Sequence, residues 1–433
     1  MMKISTMGHA CMVLAGEEER PILATDPWLL GSCYWRSWWM VNPPAEEQVR
    51  RVEAAPFIYI THEHPDHLHP PSLRRLKPGA RTILLPAFLR MKMDAYLREQ
   101  GFDVRILPPR QWVPLEDRVS VMSLPQWSND SVLLVDTPSA FIVNLNDAKP
   151  LGGLLDDIAR LRTEIGKPCI VLRSHSPAGP FFNYFEENER IPCREPEDYV
   201  RMTQGVCAHL RADLFLPFAS QVVYRRSDSE WANGYRVGFD LLQAGWGIAT
   251  RLCPPFSTVD LETLSLSAEP PAEWRGAFHD GQRALVAREE ARNGEAALTD
   301  EDIAALKAVL ARQRWLLAAV LPGGVAVESG GRRLLYAPWS GRLRETDKGG
   351  DCVIQVPVAA LKDSLASGNF GDLCIGMFVP ATLRDRALAG RVNLFWMLMV
   401  LADYGYADGI LSRLRWLVWV WRVERRRPIA RPG

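Results

Sequence analysis

Short apolar runs separated by longer, periodically apolar stretches organise roughly the first 265 residues. The run from Met1 to Thr6 predicts a first strand, and Gly8–Leu14 followed by Ile22–Pro27 predicts an early hairpin that ends in Asp26-Pro27. Phe57-Ile58-Tyr59-Ile60 is a compact apolar run, the length of a buried strand. Further strands are expected at Arg81–Pro86, Val104–Leu107 and Val119–Leu124, with a helix near Phe88–Glu99. Ser131–Val135 and Ala140–Leu145 read as a hairpin joined at Thr137-Pro138-Ser139. An amphipathic helix over Leu151–Ile165 leads into Cys169–Leu172, and one over Glu195–Arg211 into Leu214–Phe218. Alternation of this kind predicts a layered α/β domain. Composition shifts at Ala268-Glu269-Pro270-Pro271, a predicted linker that divides the chain into residues 1–265 and 272–433. Beyond it, a helix over Asp300–Leu321, strands in Gly323–Trp339, a strand and helix in Val353–Gly368 and an aromatic-rich segment Arg391–Val423 predict a smaller α+β domain.

The length of 433 residues suits two domains. Charge changes the picture by exclusion: 51 basic residues balance 51 acidic ones, so no overall field recruits nucleic acid. Eight scattered cysteines without a CxxC pair predict buried thiols in a cytoplasmic protein rather than a disulfide framework. No signal peptide is expected at the start, and the apolar run Leu394–Ala402 is too short to span a bilayer.

The candidate chemistry sits directly after the Phe57–Ile60 run. His62-Glu63-His64-Pro65-Asp66-His67 places three imidazoles and a carboxylate within six residues, and four of the eight histidines (with His69) lie between 62 and 69. In an extended segment His62 and His64 face one side and can share a metal. Asp66 and His67 follow as the chain turns, placed to hold a second metal or to steady the first. Imidazole plus carboxylate suits borderline transition ions.

This HxHxDH pattern resembles the signature of the metallo-β-lactamase fold superfamily. The resemblance implies an αββα four-layer sandwich over residues 1–265, with the metals at one end of the sheets. Asp26 is then expected beneath the metals, orienting a ligating imidazole. A bridging aspartate is implied at a later strand end, where Asp147 stands. A further ligand is implied near Gln126–Asp130, where no histidine occurs and Asp130 or Gln126 is left to substitute. The closing histidine is missing at Leu216-Pro217-Phe218-Ala219-Ser220, so His175, at the end of the preceding strand, is the replacement candidate. Asp66 and His175 are the expected catalytic residues. Fewer imidazoles and more carboxylates move such a site from zinc towards iron or manganese, with one or two metals bound.

Asn144-Leu145-Asn146-Asp147, Ser174–Phe181, Pro217–Ser220 with Asn233, and Leu361–Gly376 look like stretches of the CMP-N-acetylneuraminate hydroxylase-like branch. That resemblance implies a non-haem iron oxygenase acting on a polar, anionic or sugar-nucleotide small molecule. The chain lacks a Cys-x-His…Cys-x-x-His pair, so a separate ferredoxin or reductase is the implied electron donor. The superfamily at large implies a metal-dependent hydrolase instead, and a non-catalytic binding protein is the third alternative. Trp28, Trp35, Arg36 and Arg225 are the expected substrate contacts, aromatic faces and guanidinium groups suited to a ring bearing an anion. Trp416, Trp419, Trp421, Arg422, Arg425, Arg426 and Arg427 form a basic aromatic C-terminal stretch that can be read as a packing helix or as contact with a membrane surface or partner.

Overall fold

The computed structural model describes residues 1–177, 183–191, 194–268, 280–406, 409–425, 427 and 429–432. Glu269-Pro270-Pro271 of the expected linker, Ala178–Phe181 of the quoted motif and Arg426 of the basic stretch lie outside the described residues.

Two large sheets stack face to face. The first has eight strands and runs from Leu266–Ala268 at one edge, through Ser257–Asp260, Lys3–Met7, Cys11–Ala15, Pro21–Thr25, Phe57–Tyr59 and Thr82–Pro86, to Asp103–Leu107 at the other. The second has seven and runs Arg251–Leu252, Leu214–Phe218, Cys169–Ser174, Phe141–Asn146, Ser131–Asp136, Ser120–Pro125, Val113–Pro114. Strand alternation explains the layers. Ile4, Met12, Leu14, Leu23 and Tyr59 of the first sheet meet Val121, Leu133, Val135, Ile142 and Ile170 of the second in one core. The intervening residues point the other way. Val13, Ala24, Ile58 and Ile83 pack on the helices Glu46–Ala54 and Lys92–Glu99. Met122, Leu134, Val143 and Val171 pack on Gly152–Ile165 and Pro196–His209. Helix, sheet, sheet and helix therefore follow in order, and most strand runs read from the sequence fall within a residue or two of their observed bounds.

A third, seven-stranded sheet has the order Glu189–Ile191, Tyr184–Glu186, Ala381–Leu383, Cys352–Gln355, Val325–Ser329, Arg332–Ala337, Arg342–Glu345. Its first two strands come from the middle of the chain, and Tyr184 lies opposite Ala381 in parallel pairing. The helix expected over Asp300–Leu321 is two, Asp300–Ala311 and Arg314–Val320. The break falls at Gln313, whose buried amide donates to the Leu398 carbonyl at 3.1 Å and so pins the turn to the helix Ala389–Asp403. No helix of the described residues is long and apolar enough to cross a membrane. The thiols of Cys11, Cys33, Cys169, Cys207, Cys253 and Cys352 are free and buried.

One polar contact crosses the main core. The Tyr59 hydroxyl lies 2.8 Å from Ser123 Oγ and 2.7 Å from Ser131 Oγ of the opposite sheet. Ser131 Oγ in turn donates to the Thr61 carbonyl at 2.8 Å, so the core fixes the start of the histidine segment. Tyr59→Phe removes the shared hydroxyl from a dry site, and unfolding in urea should show a loss of about 1–2 kcal/mol at unchanged slope.

Candidate metal centre

The strand Phe57–Tyr59 ends beneath its neighbours, and the chain that follows is held by one buried carboxylate. Asp26, in a left-handed conformation (φ 39°), accepts from the Thr61 amide and hydroxyl, each at 2.8 Å. His67 Nδ1 lies 3.0 Å from the same carboxylate. This contact assigns the hydrogen to Nδ1 and leaves the Nε2 lone pair of His67 free. His67 Nε2 faces Asp147 Oδ2 at 3.1 Å and Asp66 Oδ2 at 3.5 Å, and Asp66 Oδ2 faces His9 Nε2 at 3.2 Å. One ligand atom from each of His9, Asp66, His67 and Asp147 lies within 4.8 Å of the other three.

The electrostatics ask for a cation. Burial opposes ionisation of Asp66, but the neighbouring His67 and His9 outweigh it and hold its carboxyl below the usual range. Burial likewise opposes a charge on His67, yet Asp26 and Asp66 outweigh it and raise its affinity for a proton well above the ordinary value. His9 Nδ1 and His62 Nε2 are buried without a hydrogen-bond partner, and His9 Nε2 has only the poorly aligned Asp66 carboxylate at 3.2 Å. Unpaired buried nitrogens are costly, whereas a metal ion at the convergence of these groups satisfies them. The residues present fit a metal.

His9 is the residue that sequence reasoning missed. It sits in the turn between Lys3–Met7 and Cys11–Ala15, next to Gly8 at φ 59°. Its carbonyl accepts from the Ala219 amide at 2.9 Å. Ala219 stands where the closing histidine was expected, so an imidazole from the opposite sheet reaches the site from the position where that strand end offers only a methyl group. His9 lies within the Gly8–Leu14 run, but a lone histidine in a turn declares nothing until the sheets are stacked.

The other expected residues are placed as follows. His62 lies tilted against His67 with ring centroids 4.0 Å apart and edge-to-face with His64 at 4.7 Å. Its Nδ1 lies 2.9 Å from Thr61 Oγ1 and 3.2 Å from Asp130 Oδ1, so Nε2 carries the lone pair. His64 Nε2 lies 2.9 Å from the Tyr404 hydroxyl. Asp130 is brought beside His62, and burial followed by the nearby Asp147 pushes its carboxyl up to about 6. Gln126 is buried with neither amide atom hydrogen-bonded. His175 is buried at the end of Cys169–Ser174, outside the converging four. Burial, then Arg236 and Arg173, bring its pKa down to about 3, a neutral ring. His69 caps the short helix Pro70–Leu73, its Nδ1 accepting from the Ser72 amide at 3.2 Å.

Tyr34, Trp35 and Arg36 adopt three consecutive left-handed conformations (φ 49°, 51° and 62°), which non-glycine residues adopt at an energetic cost. The turn aims the Tyr34 hydroxyl at Asp66 Oδ1, 3.0 Å away. Trp28 is fully buried between His9 and His69, with its indole N–H on the Leu30 carbonyl. Trp35 packs against the C-terminal core. Arg36 donates to Ser32 Oγ at 3.2 Å, and Arg225 is half-buried with its amide on the Ser37 carbonyl. The C-terminal layer closes over these residues. Trp38 Nε1 donates to the Gly376 carbonyl at 3.1 Å, and a Cβ on Gly376 would come within 2.2 Å of the Tyr34 ring.

The strand order and layering answer to the expectation raised by the HxHxDH segment. The fold is a four-layer αββα sandwich, the architecture that the HxHxDH resemblance implied. No protein-family model matches the chain. It is similar to the cytidine monophosphate-N-acetylneuraminic acid hydroxylase of Cricetulus griseus, at 28% identity over 171 residues, 37% of this chain and 30% of that protein. The chain thus spans about a third of the length of such relatives. Among solved structures it is similar to CmlA, a diiron β-hydroxylase from Streptomyces venezuelae (16% identity, TM-score 0.38, 58% of this chain and 52% of that one). It is also similar to an isothiocyanate hydrolase from Delia radicum gut bacteria (16% identity, TM-score 0.43, 60% and 99%). Likenesses this loose say nothing of chemistry.

His9→Ala should lower metal retention by roughly 10-fold or more, measured by plasma mass spectrometry after dialysis. His69→Ala, which removes a helix cap, should leave retention unchanged.

Proposed function

We propose that the chain is a metal-dependent oxygenase that binds iron at His9, Asp66, His67 and Asp147, with His62, His64 and Asp130 completing the donor set. The observation that carries this reading is the donor chemistry. Three carboxylates (Asp66, Asp130 and Asp147) stand among the imidazoles, with a fourth, Asp26, directly beneath, a set suited to iron or manganese more than to zinc. Bound iron would supply the activation of dioxygen for insertion into a C–H bond.

The protein's own groups have separable tasks. Asp26 holds His67 in one tautomer and orientation, as a carboxylate behind a ligating imidazole does. Tyr34 keeps Asp66 in place through its hydroxyl. Tyr404 does the same for His64 from the C-terminal layer. Burial of the cluster keeps bulk water out. The similarity to hydroxylases of a cytidine-monophosphate-linked sugar acid makes a sugar nucleotide the first substrate class to try, with Arg36, Arg225 and Trp35 on the loops beside the site. A separate ferredoxin or reductase would deliver electrons, because the chain has no Rieske-type cysteine–histidine pairs.

Protein purified without oxygen should carry iron in near-stoichiometric amount, lost in His62→Ala and in Asp147→Ala. Reduced protein should consume oxygen faster in the presence of a substrate sugar nucleotide. Stoichiometric zinc, with hydrolysis of an ester or amide lost in the same variants, would replace the oxygenase by a hydrolase. A metal-free protein would leave a binding role.

A further inference from the structure

The helix Ile410–Glu424 is amphipathic in the wrong sense for a monomer in water. Its partly or fully buried side includes Ser412, Arg413, Trp416, Trp419 and Glu424. Glu424 accepts from the Trp127 and Leu151 amides at 3.2 Å each, and Arg413 donates to Gln313 Oε1 at 2.8 Å. The outward side is apolar. Ile410 and Leu411 are 74% and 72% exposed, and Leu414, Leu417, Val418 and Trp421 between 49% and 59%. The remaining exposed residues of the helix are Arg415 and Arg422. At about 100° per residue the six apolar side chains share one arc of roughly 120°, with both arginines along one edge of it. Arg425 lies over the Trp421 ring at 4.2 Å. Monomers rarely leave a contiguous apolar ridge of this kind in water.

We propose that this helix seats the protein on an anionic lipid surface, lying in the plane of the membrane with its six apolar residues among the acyl chains and Arg415 and Arg422 at the phosphates. Charge complementarity favours lipid over the other occupants. The outward face has no carboxylate and no side-chain acceptor, so it has donors for phosphate and little for the hydrogen-bonded rim of a protein interface. Two-fold pairing with a second copy is disfavoured because Arg415 lies halfway along the edge of the ridge, where antiparallel pairing would press it against its own counterpart. The sequence-level emphasis on Trp416 and Trp419 is revised, since both turn inward and the aliphatic residues between them turn out.

The test is flotation of the full chain with vesicles of phosphatidylcholine alone and of phosphatidylcholine with phosphatidylglycerol. Wild-type protein should float with the anionic vesicles only, and added salt should release it. Leu414→Glu with Leu417→Glu should abolish binding, and Arg415→Glu with Arg422→Glu should lower the partition coefficient by about 10-fold or more. Circular dichroism and retained metal content should show both variants folded, since none of the four residues touches the cluster. Failure of the wild type to float, or equal flotation of the leucine variant, overturns the proposal. A wild-type dimer in sedimentation velocity that the leucine variant abolishes, without vesicle binding, overturns it in favour of a second copy.

Discussion

The contact on which the site depends is the buried knot formed by Asp26, Thr61 and His67. Asp26 has no exposure to water and accepts from Thr61 twice. Its two donors from Thr61 and the His67 ring satisfy this carboxylate in a dry place. In doing so it fixes where the strand Phe57–Tyr59 ends, which way the histidine segment turns and which nitrogen of His67 points at Asp66 and Asp147. The backbone strain at Asp26 is tolerated because so many bonds converge on its side chain. The same knot reaches across the core, through Ser131, to the Tyr59 hydroxyl.

Much of the fold was legible because the strands are fully buried and therefore plainly apolar. Phe141–Asn146 and Leu214–Phe218 read as strands without ambiguity. What escaped reading had weak local signals. The hairpin Tyr184–Ile191 consists of two three-residue strands rich in charge, and its pairing with Ala381–Leu383 spans nearly two hundred residues. The helix Asp280–Glu295 has one buried residue, Val286, and hence no apolar stripe to betray it. Of the candidate site, the HxHxDH segment and Asp147 were visible because their polar side chains follow directly on apolar strand runs. His9 was not, because its role depends on which residue the opposite sheet leaves small.

The C-terminal layer is more than an appendage to the sandwich. It supplies Tyr404 to His64, the Gly376 carbonyl to Trp38 and Tyr406 to the Asn129 side chain beside Asp130. Glu424 and Trp416 hold the backbone of Trp127 from the other side. The turn that carries Gln126 and Asp130 is therefore braced by residues nearly three hundred positions away. Tyr34 is placed by the same packing, since its ring fills the space that only a glycine at 376 leaves open.

One cavity gives this packing a kinetic meaning. The space beside His64, bounded by Glu63, Asp372, Asp403 and Tyr404, has a volume of about 20 Å³, room for a single water molecule. With the layers as they stand, only a water-sized molecule fits in this gap between His64 and the C-terminal residues Asp372, Asp403 and Tyr404. Anything larger would reach that side of His64 only when these layers part, so its access would depend on how often they do and for how long.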